Sequence, residues 1–187
     1  MATPRKRRSD AEQNRERIVS SARRIYRESG PTASLDAIAA DAGVGNATLY
    51  RHFPDRSQLR TTVLTERIEE VSRFLSTLEN ETDGWAALER YVRFLAATPD
   101  NTLVDVLVSP PTEPVEVAAY RRDIRPRVQL LLDRAKQSGA IRPDYTIDDM
   151  NIFLFAHTSA HFSPRVDADG AQRLLEDYLR GIDIRHR

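Results

Sequence analysis

Asn46, Thr48, Tyr50, Arg51 and His52 place hydrogen-bonding side chains close together, between the tight Gly43-Val44-Gly45 segment and the helix-stopping Pro54. Hydroxyl, amide, imidazole and guanidinium donors suit phosphate oxygens and the edges of bases. Small methyl groups, such as that of Ala47, suit the methyl of thymine. Leu49 and Phe53 fall on the opposite side of the same short helix and face inward. Other chemistries are poorly supplied. The chain has no Cys, which removes disulfides, thiolate metal sites and cysteine nucleophiles together. There is no P-loop, no Gly-Xaa-Ser-Xaa-Gly, no HExxH and no pair of acids beside a His, so an enzyme is not expected. His157 and His161 are spaced i, i+4, but no carboxylate continues that spacing. They read as packing or dimer contacts, and neither a metal nor another cofactor is expected.

The elements that must hold this polar helix are legible from periodicity. From Ala11 to Ser29, Ile18, Val19, Ala22, Ile25 and Tyr26 recur at helical spacing, and Gly30-Pro31 stops the helix. Ser34 is placed as an N-cap for a helix reaching about Ala42, with Leu35, Ile38 and Ala39 on one face and Gly43 as its stop. Residues 46–52 then form the second short helix. Two short helices about a glycine turn, braced by a longer one, let the second protrude into a major groove, although helical hairpins of this kind also occur in bundles that never touch nucleic acid. Asp55, with Gln58 as capping partner, opens a long bridging helix carrying Leu59, Val63, Leu64, Ile68, Val71, Phe74, Leu75 and Leu78. Beyond it lie about five helical segments, punctuated at Asp83-Gly84, Thr98-Pro99, Pro110 to Pro114, Gly139 to Pro143 and Ser163-Pro164. Pro126 is expected to kink or interrupt the helix following Pro114. The expected fold class is all-α: an N-terminal three-helix helix-turn-helix domain of the DNA-binding kind plus a C-terminal helical bundle. The expected divisions are a flexible basic arm at 1–10, the DNA-binding domain at 11–56 and the body at 57–187.

Formal charge is balanced over 187 residues, but not evenly along them. Residues 1–60 hold 12 Lys+Arg against 7 Asp+Glu, a net of +5, leaving −5 for the rest. A basic segment on an acidic body points one end toward a polyanion. Four of the cations form the run Arg5, Lys6, Arg7, Arg8, which either enters an adjacent minor groove or is a solvated tail that raises affinity for any DNA. No apolar run is long enough to span a bilayer and no apolar signal segment follows Met1, so a cytoplasmic protein with no membrane partner is expected.

The run from Ile38-Ala39 through Ala42-Gly43-Val44, followed by Thr48-Leu49-Tyr50-Arg51-His52-Phe53-Pro54-Asp55-Arg56-Ser57-Gln58-Leu59, resembles the TetR family of regulators over residues 11–60. A weaker echo follows in Arg134 to Asp144. The resemblance implies a homodimer reading a near-palindromic double-stranded DNA operator, repressing until a small-molecule effector binds the body. The alternative is a regulator that senses no small molecule and is controlled by a protein partner or acts as an activator. The DNA-contacting set is Ser34, Gly45, Asn46, Ala47, Thr48, Tyr50, Arg51, His52 and Arg56, with Arg56 standing where the family more often has Lys. Gly45 stands where many members have Ser, and Ala47 where many have Gly.

For the body, the resemblance suggests a largely apolar effector cavity offered by Phe74, Trp85, Leu88, Tyr91, Phe94, Leu95, Leu103, Leu107 and Tyr120. It also suggests dimerisation through the last two helices, by Phe153, Leu154, His157, His161, Leu174, Leu175, Tyr178 and Leu179. The segment Ile147 to Phe162 is apolar nearly all round, which a helix tolerates only when covered on several sides.

Overall fold

The computed structural model describes residues 4–29, 33–99, 118 and 122–185, with backbone only for 4–9. Its described elements are all helices: α1 (Pro4–Ser29), α2 (Leu35–Asp41), α3 (Asn46–His52), α4 (Arg56–Leu78), α5 (Gly84–Ala96), α6 (Arg125–Gln137), α7 (Ile147–His161) and α8 (Ala168–Ile182). Two compact units divide the chain, Met1–Thr65 and Glu66–Arg187, and α4 contributes to both.

In the first unit, one stripe of α1 (Ile18, Val19, Ala22 and Tyr26) closes over Ile38, Ala39 and Ala42 of the α2 region, Leu49 and Phe53 at α3, and Leu59 and Val63 at the start of α4. The helix begins at Pro4 rather than at the expected Ala11, so residues 4–10 prolong α1. Arg and Lys are strong helix formers, and residues that prolong an already anchored helix need no new nucleus. Proline is tolerated in the first turn, where its missing N–H costs no hydrogen bond. Ser34 caps α2 as expected, its Oγ accepting the Ala37 N–H at 3.0 Å. The α2 terminus then closes on itself: Val44 N–H donates to Ala39 O at 3.0 Å and Gly43 N–H to Ala40 O at 3.1 Å, with Gly43 in the left-handed region at φ +64°.

The second unit is assembled from capped helices. Asp83 Oδ1 accepts the N–H groups of Trp85 and Ala86 to start α5. Thr146 and Asp149 form a reciprocal capping box on α7, and Asp167 Oδ1 accepts the Gly170 N–H on α8. Helical residues 122–123 break at Ile124 and α6 starts afresh with Pro126 in its first turn, so of the two expected outcomes the proline interrupts the helix and does not kink it. Trp85, Leu88, Tyr91 and Leu95 of α5 are buried, as are Val128, Leu131, Leu132 and Ala135 of α6. Around this core, Arg127 donates to Ser72 Oγ, Ser76 Oγ and Glu79, tying α6 to α4. Arg93 of α5 makes a two-pronged contact with Glu176 of α8 at 2.6 and 2.9 Å. Ile184 N–H donates to Ala140 O, fastening the segment after α8.

Glycine positions give this packing a direct test. A Cβ on Gly84 would stand 2.6 Å from the Arg134 carbonyl carbon and 2.8 Å from Ala135 N, backbone atoms of α6 that cannot rotate away. Gly84→Ala is expected to cost about 1–3 kcal/mol of stability, read as a lower denaturation midpoint. Serine has opposite effects at two neighbouring sites. Gly43→Ser should cost about 1–2 kcal/mol through its positive φ. Gly45, at φ −73° in open space with no side-chain cap on α3, should gain about a few tenths of a kcal/mol as Gly45→Ser.

Candidate nucleic-acid interface and the body

The seven residues of α3 are sorted by two inward anchors. Leu49 is fully buried and Phe53, at the C-cap, nearly so. Asn46, Ala47, Tyr50 and Arg51 are exposed, and Thr48 and His52 are half-buried. Six of the nine expected contact residues lie on this short helix, with Tyr50 at 47% exposure, while Gly45 is its N-cap, Ser34 caps α2 and Arg56 opens α4. Several members already have work inside the protein. Asn46 Nδ2 donates to Asp36 Oδ1 at 2.8 Å, linking α3 back to α2. Ser34 Oγ is committed to its cap, and Arg56 Nη1 donates to the Ala33 carbonyl. Thr48, Tyr50 and Arg51 remain the outward donors. Burial, with Arg51 and Arg15 nearby, pushes His52 below the usual imidazole range, so it is neutral at pH 7 and acts as a hydrogen-bonding group rather than a cation.

Arg17 braces the turn, Nη2 donating to Gly43 O at 3.1 Å, and Arg24 pairs with Asp41, so α1 grips both ends of the α2 terminus. Arg15 lies over the Phe53 ring at 4.8 Å. The side chains of Arg5, Lys6, Arg7 and Arg8 lie outside the described residues.

In the body, Trp85, Leu88, Tyr91 and Leu95 are buried, while Phe74 and Phe94 are half-buried and stacked, ring centres 3.9 Å apart and 6° from parallel. Leu103, Leu107 and Tyr120 lie outside the described residues. A groove of about 330 Å³ opens elsewhere, between the end of α5 and helices α7 and α8, lined by Arg93, Pro99, His157, His161, Gln172 and Leu175 among others. It shares no residue with the expected effector cavity. Arg67 was not anticipated: it is buried on α4 against Phe94. The available signal was a charge at a position of the apolar stripe that runs through Leu64, Val71 and Leu78.

The expected dimer residues divide by burial. Phe153, Leu154, His157, Leu175 and Leu179 turn into the protomer's own interior. Phe153 stacks on Tyr178 at 3.5 Å, and the Tyr178 hydroxyl meets that of Tyr145. Burial pushes the Tyr145 phenol up to about 12. His161 and Leu174 are exposed, and the large apolar groups α7 leaves in water are Ile152 at 64% and Phe155 at 48% exposure. Burial, with His161 next to it, lowers His157 and keeps it neutral. Among the described residues no group of three or more His, Asp or Glu is arranged to hold a metal, and no helix is long and apolar enough to cross a membrane.

Comparison with known proteins agrees with this architecture. Residues 18–62 match the family model of bacterial regulatory proteins of the tetR family, and residues 84–184 match that of the SbtR-like transcriptional regulator C-terminal domain. A helix-turn-helix-type transcriptional regulator of Staphylococcus aureus is 45% identical over 53 residues, spanning 28% of this chain and 29% of that relative. Among solved structures, a TetR-family regulator from Agrobacterium tumefaciens superposes with a TM-score of 0.68 at 22% identity, over 92% of this chain and 99% of that one. A TetR regulator from Streptomyces coelicolor does so with a TM-score of 0.59 at 29% identity, over 90% and 98%. The regulator LfrR from Mycobacterium smegmatis, solved in complex with proflavine, gives 0.65 at 22% identity, over 91% and 97%. With the C-terminal model matched across more than half of its length and the helix-turn-helix model at α1 to α4, the chain belongs to the TetR family of non-enzymatic, DNA-binding transcriptional regulators.

Proposed function

We propose that the protein is a homodimeric repressor that reads a near-palindromic operator and releases it when a small effector binds the body. The observation that carries the DNA reading is the outer face of α3, where Ala47, Thr48, Tyr50 and Arg51 project from a helix anchored by Leu49 and Phe53. Arg51 and Tyr50 supply phosphate and base-edge donors, while Ala47 offers a methyl contact to thymine. Two-fold symmetry pairs two such helices, and successive major grooves on one face of the duplex repeat at about 34–36 Å.

Dimerisation is assigned to the outward faces of α7 and α8, through Ile152, Phe155 and Leu174 rather than through side chains that fill the protomer interior. Exposed apolar groups on adjacent terminal helices are what a four-helix arrangement between two copies would cover. Small-molecule release is supported by the family's C-terminal domain and by the proflavine complex of LfrR, a protein of the same fold. A displacement of α4, which has residues in both units, would change the separation of the paired α3 helices and cost one half-site.

Selection of bound sequences from randomised duplex DNA at near-physiological salt is expected to enrich one inverted repeat. Uniform, salt-sensitive retention of all sequences would refute a sequence-specific reader. Arg51→Ala should weaken binding and flatten its salt dependence by about one unit of slope if Arg51 contacts phosphate. The double change of Ile152 and Phe155 to Asp should give a folded monomer in sedimentation and remove the preference for a palindrome; a dimer that persists would overturn this interface.

A further inference from the structure

Arg67 is 1% exposed, one of the largest fully buried side chains among the described residues. It lies in the body, its guanidinium carbon 4.9 Å from the centre of the Phe94 ring, which itself stacks on Phe74. Glu70 Oε2 is 2.9 Å from Nη1, close enough to pair in charge. That oxygen lies off the N–H directions, however, and Nε, Nη1 and Nη2 are all buried without a hydrogen-bond partner.

A guanidinium cannot shed its proton in a protein and presents five N–H donors in a planar fork. A ring face attracts the cation but offers no lone pair in the plane of that fork. Buried donors are otherwise almost always matched, so three orphaned nitrogens on one buried cation mark a group held for something other than stability. Hydrophobic packing alone would place Leu or Met at this position of the α4 stripe. The partner that satisfies a planar fork is a planar oxyanion accepting two parallel N–H bonds. The stacked pair Phe74 and Phe94 beside it suits a flat apolar body.

We propose that Arg67 is the anion-recognising residue of the effector site, and that the effector is a carboxylic acid carrying an aromatic or otherwise flat apolar body. This rests on the effector-sensing reading above and narrows it from an apolar molecule to an acidic one. The ligand carboxylate takes the two in-plane bonds of the fork, and Glu70, whose side chain is 34% exposed, turns toward water as its charge is replaced. No atoms or electrons are transferred.

The test uses the full chain at pH 7 with benzoate, cinnamate and 2-naphthoate, each beside its uncharged primary amide, reading calorimetric affinity and retention of the selected operator. At least one acid is expected to bind at least about tenfold tighter than its amide, the size of a charge-assisted pair of hydrogen bonds. It should also lower operator retention. Arg67→Met should erase the difference between acid and amide while its own unliganded melting temperature stays level or rises, because removing a poorly satisfied buried charge does not destabilise. Glu70→Gln should tighten acid binding several-fold and leave amides unaffected; this variant keeps the test sharp should Arg67→Met fold poorly. Acids and amides binding alike, or an acid preference that survives in Arg67→Met, overturns the role of Arg67 and leaves effector sensing standing. If neither class binds or alters operator retention at millimolar concentration, the acid-effector role of Arg67 falls, and effector sensing by a molecule of another class is left untouched.

Discussion

Seven residues are too few to be helical alone in water, so everything α3 presents depends on how firmly its inner side is held. Leu49 and Phe53 are that hold, buried against the stripe of α1 and the start of α4. Around them the polar contacts point the same way: Ser34 starts α2, the Gly43 turn ends it, Arg17 pins the turn carbonyl, and Asn46 ties α3 to Asp36. Such a helix needs this arrangement, because its outward side chains contribute nothing to burying it. The outer face of α3 is held in place by residues of its inner face.

The body solves a different problem, covering long amphipathic helices from several sides. Its core is apolar, but helix partners are chosen by charge and hydroxyl contacts at the margins: Arg127 to Ser72 and Ser76, Arg93 to Glu176, Tyr145 to Tyr178. The arginine contacts are part-exposed and fix register at small desolvation cost, whereas the buried Tyr145 hydroxyl is matched by that of Tyr178. Arg67 is the contrast, since it carries a full charge into the interior with its nitrogens unsatisfied. Stability does not explain a residue of that kind, which is why recognition of an acid is proposed for it.

Helix α7 shows why apolarity around a whole helix is ambiguous. Met150, Phe153, Leu154 and His157 pack inside the protomer, whereas Ile152 and Phe155 stand in water. Both sets look alike as a string of residues. The side covered by the protomer's own α8 is decided by the stacking of Phe153 on Tyr178 and by the small Ala171 at the crossing. What remains outside is an apolar face suited to a second copy.

Local rules determined much of this protein from sequence alone. The helix-turn-helix bounds, the Ser34 cap, the inward Leu49 and Phe53 and the outward Tyr50 and Arg51 all follow from periodicity, capping and the glycine stop, which act over a few residues. The same rules placed the start of α1 late, because they weighed burial where helix propensity was sufficient, and they left open whether Pro126 kinks or interrupts its helix, which the break at Ile124 decides for interruption. Only the tertiary structure decided which face of α7 is interior, that Asn46 and Arg56 are engaged within the first unit, and that Arg67 is buried beside Phe94. Each of these depends on which distant helix covers a given face, and chain-local patterns carry no information about that choice.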